Sequence, residues 1–270
     1  MTIKAGGPLK APRTGYIGVG VPRPAARRLL QGRGRYVDDI RLPRMVHVAF
    51  VRSPYAHARI VKIDASWATV SPGVIRVVSG PEVARICSPW VGVMTNRKGL
   101  KSAPQHALAI DRACWQGEAV AAVAAESRVL AENAAQLINV EWQELAALTD
   151  AETALDPQTP VLHPELGDNL AFQCEVDTGD IEKVFATAHK IVEATFHTGR
   201  HTPVSLEPRS ILADFNPAEQ QLTVYQATQV PYMLQWILAK HFGLPEVNVR
   251  VIAPDVGGSF GAKIHVYGDE

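Results

Sequence analysis

The residues with the clearest chemical potential lie near the end of the sequence, in Gly257-Gly258-Ser259-Phe260-Gly261. This turn follows an apolar, β-branched run, Val247 to Ile252. Glycines after a strand let backbone N–H groups approach an anion or an oxygen without interference from Cβ atoms. Two phosphate motifs fail here. Walker A requires Gly-Lys-[Ser/Thr], whereas this chain has Gly261-Ala262-Lys263-Ile264, and no G-x-G-x-x-G spacing occurs anywhere. A nucleotide site is therefore disfavoured, and on spacing alone the turn reads first as a tight structural turn.

Gln229, in "YQATQVPYML", falls between a strand pattern and a helix pattern, where α/β folds commonly place binding groups. Its neutral amide could donate to an oxo group, accept from a substrate, or simply satisfy a loop. His197 and His201 are four apart, a metal-pair spacing on a helix, but the stretch reads as a strand with no third ligand nearby. They are expected as strand or core histidines. Glu207, next but one to Arg209, suits an ion pair or a carboxylate accepting backbone N–H groups better than a catalytic acid. Arg33 and Arg35 could bind an anion, with a solvated turn or pairing to Asp38 or Asp39 as the plainer reading. No Ser/His/Asp or Cys/His arrangement has local support.

The elements that must position these groups form an α+β pattern. Residues 1–24 hold five Gly and four Pro and read as an extended arm. "MVHVAFV" (45–51), "ARIVKIDA" (58–65) and "GVIRVVSG" (73–80) are strand-like, and "PEVAR" is a short helix with Pro in its first turn. Residues 88–112 are irregular. The apolar run 118–126 suits a buried strand. Ser127 is a plausible N-cap for a helix carrying Leu130, Ala134, Leu137 and Ile138 on one face, and 139–145 alternates again. Pro157, Pro160, Pro164 and Gly167 mark a linker, set at 151–170. Beyond it, "DTGDIEKVFATA" suggests a capped helix. Residues 189–201, 209–215, 221–228 and 246–255 suggest strands. Pro231 to Gly243 is a helix with Pro at its start and Gly at its stop.

Composition narrows the classes. With 47% hydrophobic and 20% charged residues, a formal net charge of zero and a pI near 7.1, the chain has the profile of a soluble globular protein and no electrostatic footprint for nucleic acid. The apolar run 119–125 is too short to span a bilayer, and the N-terminus lacks the apolar segment of a secretory signal. The Arg27-Arg28 pair is not followed by an apolar run either, so a cytoplasmic protein is expected. Cys87, Cys114 and Cys174 are odd in number and widely spaced, with no C-x-x-C, so a disulfide framework and an intrinsic iron–sulfur cluster are not expected. Each is expected as a small buried hydrophobe.

Four stretches in order change the reading: "GRGRYVDDIRLPRMVHVAFVRSPYAHARIVKID", "QGEAVAAVAAESRVLAENAAQLINVEW", "RHTPVSLEPRSILADF" and "ATQVPYMLQWILAKHFGLPEVNVRVIAPDVGGSFGAK". Together they resemble the molybdopterin-binding large subunit of the xanthine dehydrogenase / aldehyde oxidase / carbon monoxide dehydrogenase family, from about Tyr16 onward. The resemblance implies an α/β hammerhead domain at 25–150 and, at 171–270, the start of a molybdenum-cofactor-binding α+β domain. It implies a molybdenum–molybdopterin cofactor, with a cytosine dinucleotide form admitted, approached by Gln229 and by Gly257, Gly258, Ser259, Phe260 and Gly261. It further implies hydroxylation of an aldehyde, an N-heterocycle or a related small molecule with a water-derived oxygen. Electrons would leave through iron–sulfur clusters and FAD on small and medium partner subunits.

Two departures qualify this. Purine-type members tend to have a glutamate after the loop lysine, where this sequence has Ile264. The family also continues for several hundred residues and places its general base there. No residue of these 270 is assigned that role, and "VYGDE" resembles the lead-in to a further helix. A complementary chain is therefore expected, with a non-catalytic fragment or subunit-interaction module as the alternative.

Overall fold

The computed structural model describes residues 15–92 and 97–270. Residues 1–14 of the expected arm lie outside them. The first half begins with a short helix, α1 (Ala26–Leu30). Strands β1 (His47–Arg52), β2 (Ala58–Asp64) and β3 (Val74–Ser79) follow, with α2 (Ser66–Thr69) between the last two and α3 (Gly80–Val83) after them. Then come β4 (Arg112–Ala113), β5 (Ala119–Ala125), α4 (Arg128–Ala135) and β6 (Asn139–Glu144). They make two antiparallel three-stranded sheets, ordered β1-β5-β3 and β4-β2-β6.

The central strand β5 explains its own composition. It is paired on both edges and covered on both faces, so an unbroken run of Ala and Val is required where a half-exposed strand would alternate. One face carries Ala121 and Val123 against Ala134 and Ile138, with Ile63 and Val140 reaching over from the second sheet. The other packs Ala119 and Ala122 against Leu108, Phe50 and Val78. The small side chains let backbone approach closely: a Cβ on Gly80 would lie 2.2 Å from the Ala109 carbonyl oxygen.

Helix starts follow their caps. The Leu130 N–H donates to Ser127 Oγ at 3.3 Å, as expected of an N-cap. Ser79 and Glu82 form a capping box, the Ser79 N–H reaching Glu82 Oε2 at 2.9 Å. That cap starts α3 one residue before Pro81, the start expected from the sequence. Helix α4 ends at Ala135, so Leu137 is exposed while Ile138 is buried, against the expectation that both share one face.

The second half holds α5 (Ile181–Thr187), β7 (Ile211–Asn216), β8 (Gln221–Gln226), α6 (Pro231–Phe242) and β9 (Val249–Ile252). Asp180 caps α5 through the Lys183 N–H at 3.0 Å. Strands β7 and β8 form an antiparallel hairpin, and β8 pairs with β9 in parallel through the crossover helix α6. Pro231 opens α6, and Gly243 closes it at φ 64°, with the Leu244 N–H returning to the Ala239 carbonyl at 2.9 Å. Leu222, Val224, Ala239 and Val249 form the core beneath.

The strand expected at 189–201 is not formed. The segment is exposed and irregular, and none of its backbone N–H groups donates to a described residue. The pattern specifies a strand but cannot supply its neighbour, and a strand without a ladder has nothing to hold it. Ile191, Val192 and Phe196 stand exposed as a result. His197 and His201 are likewise exposed, neither core nor strand. The cysteines are free, but Cys87 and Cys114 are only half-buried and Cys174 is exposed, so none is a core residue.

One buried acid stands out in the first half. Glu118 closes the turn before β5, its carboxylate accepting the Cys114 N–H at 2.6 Å, and burial pushes its pKa up to about 7. A carboxyl raised in the fold binds its proton more tightly there than in the unfolded chain. The stability it provides is present below about pH 4.5 and is lost as pH rises towards 7. We expect unfolding free energy to fall by up to about 3 kcal/mol across that window. Denaturant titrations should show Glu118→Gln flattening the dependence.

Candidate functional site

The parallel pairing of β8 with β9 runs from Leu222↔Val249 to Tyr225↔Ile252. Their C-terminal ends therefore emerge on the same side of the sheet, where open α/β sheets place their ligands. From β8 the chain passes through buried Ala227 and Thr228 to exposed Gln229 and turns into α6. From β9 it passes into the glycine loop. Register alone thus brings Gln229 and the loop together.

Hydrogen bonds fix the encounter. The Lys263 carbonyl accepts from the Gln229 N–H at 3.1 Å and from Thr228 Oγ1 at 3.2 Å. Ser259 Oγ accepts the Lys263 N–H at 3.2 Å and donates to Gln229 Oε1. A third segment closes the site from below. Glu207 Oε2 accepts the Gly257 N–H at 2.7 Å and Lys263 Nζ at 2.9 Å, while the Glu207 N–H donates to the Gly257 carbonyl at 3.2 Å. Ser205 Oγ braces this segment by donating to the Glu207 carbonyl at 2.7 Å.

The glycines have separate reasons. A Cβ on Gly257 would lie 2.5 Å from the Glu207 Cβ, so the closeness of the two segments demands glycine there. Gly258 and Gly261 have φ of 101° and 92°, in the left-handed region. Phe260 is also left-handed, at φ 50°, which is uncommon for a residue with a side chain, and it is 75% exposed. Phe260 and Gly261 are the exposed residues of the loop. Among the described residues, the N–H groups of Gly258, Ser259, Phe260 and Gly261 donate to nothing, and neither does Gln229 Nε2.

Such a face suits an acceptor-rich, electron-dense group. It offers several neutral donors, and Lys263 adds no charge to it because its side chain is 1% exposed and committed to Glu207. The donor set therefore fits a molybdenum cofactor, whose periphery is oxygen and sulfur, better than a bare cation. Among the described residues no cluster of three His, Cys, Asp or Glu could hold a metal ion.

Other expectations resolve differently. Glu207 is a backbone-accepting carboxylate, as expected, but its ion-pair partner is Lys263. Arg209 instead binds Asp269 at 2.8 Å and Glu270 at 2.9 Å. Arg33 and Arg35 do not pair with Asp38 or Asp39. Their backbones serve Asp255 and Arg28: the Arg35 N–H meets Asp255 Oδ2 at 2.7 Å, and Arg28 binds both the Arg33 carbonyl and Asp255. The Arg28 guanidinium and the Arg35 N–H hold the Asp255 carboxyl down at about 2. Asp39 is used locally, accepting the Tyr36 N–H at 2.9 Å. Lys263 was missed as a structural hub. No local signal in the sequence marks it, since its partner lies 56 residues away.

Two family models match the chain in succession. Residues 31–146 match "Aldehyde oxidase and xanthine dehydrogenase, a/b hammerhead domain", and residues 162–270 match "Molybdopterin cofactor-binding domain". This chain belongs to the xanthine dehydrogenase and aldehyde oxidase family. Among curated members of the family, it is 36% identical over 254 residues to the nicotine 6-hydroxylase large subunit of Paenarthrobacter nicotinovorans, covering 94% of this chain and 31% of the relative. It is 32% identical to the carbon monoxide dehydrogenase large chain of Hydrogenophaga pseudoflava, covering 91% of this chain and 32% of that one. Among solved structures of the family, quinoline 2-oxidoreductase from Pseudomonas putida 86 superposes with a TM-score of 0.88 at 38% identity, over 93% of this chain and 32% of that one. The chain spans about a third of the length of these relatives.

Truncating one partner of the buried Lys263–Glu207 pair should cost about 3–5 kcal/mol, because the other charge is left without compensation. Chemical unfolding of Lys263→Met should show that loss, and the double variant Lys263→Met/Glu207→Leu should recover much of it. Equal stability of the parent and Lys263→Met would show that the pair does not hold the loop.

Proposed function

We propose that this chain is the N-terminal portion of the large subunit of a molybdenum hydroxylase, an oxidoreductase that acts with a complementary stretch of large subunit. The observation that carries this is the outward donor face: Gln229 Nε2 and the unpaired N–H groups of residues 258–261, gathered at the C-terminal ends of two parallel strands. Gln229, Gly257, Gly258, Ser259, Phe260 and Gly261 would line the cofactor, Ser259 through its backbone. When bound, the molybdenum cofactor supplies two-electron oxidation coupled to insertion of a water-derived oxygen.

The chain's own part is to hold donors in place before the ligand arrives. Backbone donors fixed by a strained loop do not reorganise on binding, which is where electrostatic preorganisation gains its effect. Iron–sulfur and FAD subunits would take the electrons onward, as the absence of cluster-type cysteine spacing suits. The names of two relatives, a nicotine hydroxylase and a quinoline oxidoreductase, favour an N-heterocycle over an aldehyde, and Ile264 argues against a purine. A cytosine dinucleotide form of the cofactor and a cytoplasmic location belong to the same proposal. Among the described residues no helix is long and apolar enough to cross a membrane.

A second reading, a subunit-interaction module without catalysis, draws on the exposed apolar residues Ile191, Val192, Phe196, Val204 and Leu206. One experiment separates the two. The chain is affinity-purified from its native cells, and the co-purifying masses and the molybdenum per complex are measured. The hydroxylase reading expects a large companion and about one molybdenum per complex, with Gln229→Ala lowering turnover by about 10²-fold. A companion without molybdenum supports the module.

A further inference from the structure

The amide of Gln229 has two ends of nearly equal shape and opposite polarity: Oε1 accepts, Nε2 donates. Which end faces outward decides what kind of group the site welcomes, and shape alone does not settle it. The geometry points to Ser259 as the positioning residue that makes the choice, turning the donor end of Gln229 outward through its hydroxyl.

Ser259 Oγ receives the Lys263 N–H at 3.2 Å, and its own hydrogen is given to Gln229 Oε1. Reversing the amide would set Nε2 against the same oxygen. That would exchange the Oγ–H···Oε1 bond for Nε2–H···Oγ, which fills the second lone pair of a hydroxyl already accepting Lys263 N–H and leaves the hydroxyl hydrogen with no acceptor among the described residues. The Lys263 N–H that fixes Ser259 is itself held, because the Lys263 carbonyl carries Gln229 N–H and Thr228 Oγ1 and its side chain is buried on Glu207. The orientation of an exposed amide is thus tied to a buried ion pair through one hydroxyl. Ser259 is not in the left-handed region, so other side chains fit its backbone. Its identity is set by the hydroxyl, unlike the glycines beside it. This inference deepens the reading of Gln229 as cofactor-facing and rests on it for its functional consequence, but not for its geometry.

The test has a cofactor-free arm and a loaded arm. In the 270-residue chain labelled on glutamine side chains, NMR reads the Gln229 amide N–H pair and carbonyl carbon, assigned by their loss in Gln229→Ala. Ser259→Ala should shift and broaden both, and Ser259→Thr, which keeps the hydroxyl, should restore them. In the assembled complex at equal molybdenum content, Ser259→Ala should move the electron paramagnetic resonance signal of reduced molybdenum and lower turnover about fivefold, one hydrogen bond's worth. Ser259→Thr should return both to the parent values. If Ser259→Ala fails to fold, Ser259→Cys, a similar shape with a weaker donor, replaces it. Unchanged Gln229 resonances in a folded Ser259→Ala or Ser259→Cys would overturn the inference. A parent complex without molybdenum would overturn the functional reading instead, leaving the NMR arm to decide this one.

Discussion

A lysine with almost no exposure organises the second half of this molecule. A buried ammonium is costly unless a counter-charge and further hydrogen bonds meet it. Lys263 meets Glu207 Oε2, which also takes the Gly257 N–H, so one carboxylate oxygen joins the start of the glycine loop, its end and the segment before β7. Glu207 Oε1 is buried with no donor among the described residues, so the other half of the carboxylate adds nothing to offset the cost of burying both charges. By area or charge count this is an inefficient way to stabilise a fold. It is an effective way to specify one arrangement of three segments, since any slippage would strand both charges.

Around that hub the loop is also tied to the first half on each side. Upstream, Asp255 takes both Arg28 and the Arg35 N–H. Downstream, Asp269 lies between Arg52 of β1 and Arg209 of the second half, at 2.6 Å and 2.8 Å. Burial would raise the Asp269 pKa, but the two guanidinium groups outweigh it and hold the carboxyl below its usual range. Asp255 is the more exposed of the two, so salt screens it more strongly.

Much of the architecture was legible because local signals and tertiary context agreed. β5 announced itself by an apolar run of strand length, α4 by Ser127, and α6 by Pro231 and Gly243. Alternation located β1, β2 and β6 within a few residues. The segment 189–201 shows where this stops: alternation predicts how a strand would face, but its hydrogen bonds belong to a neighbour that the described residues lack. The site was legible in part for the same reason. Glycine spacing and the strand–helix junction marked the loop and Gln229 separately, while their meeting is a property of parallel register. The ion pairs of Lys263 and Arg209 and the bond from the Arg35 N–H to Asp255 were not legible, because contacts between residues more than 50 apart leave no local pattern.

The two aspartates that flank the loop have a mechanical meaning. Asp255 lies two residues before Gly257 and Asp269 eight after Gly261, and both reach across to the hammerhead half. The loop is thus strung between two anchors on the first half. Both of its ends are fixed to that half, and the loop's set is tied to it as well as to Glu207.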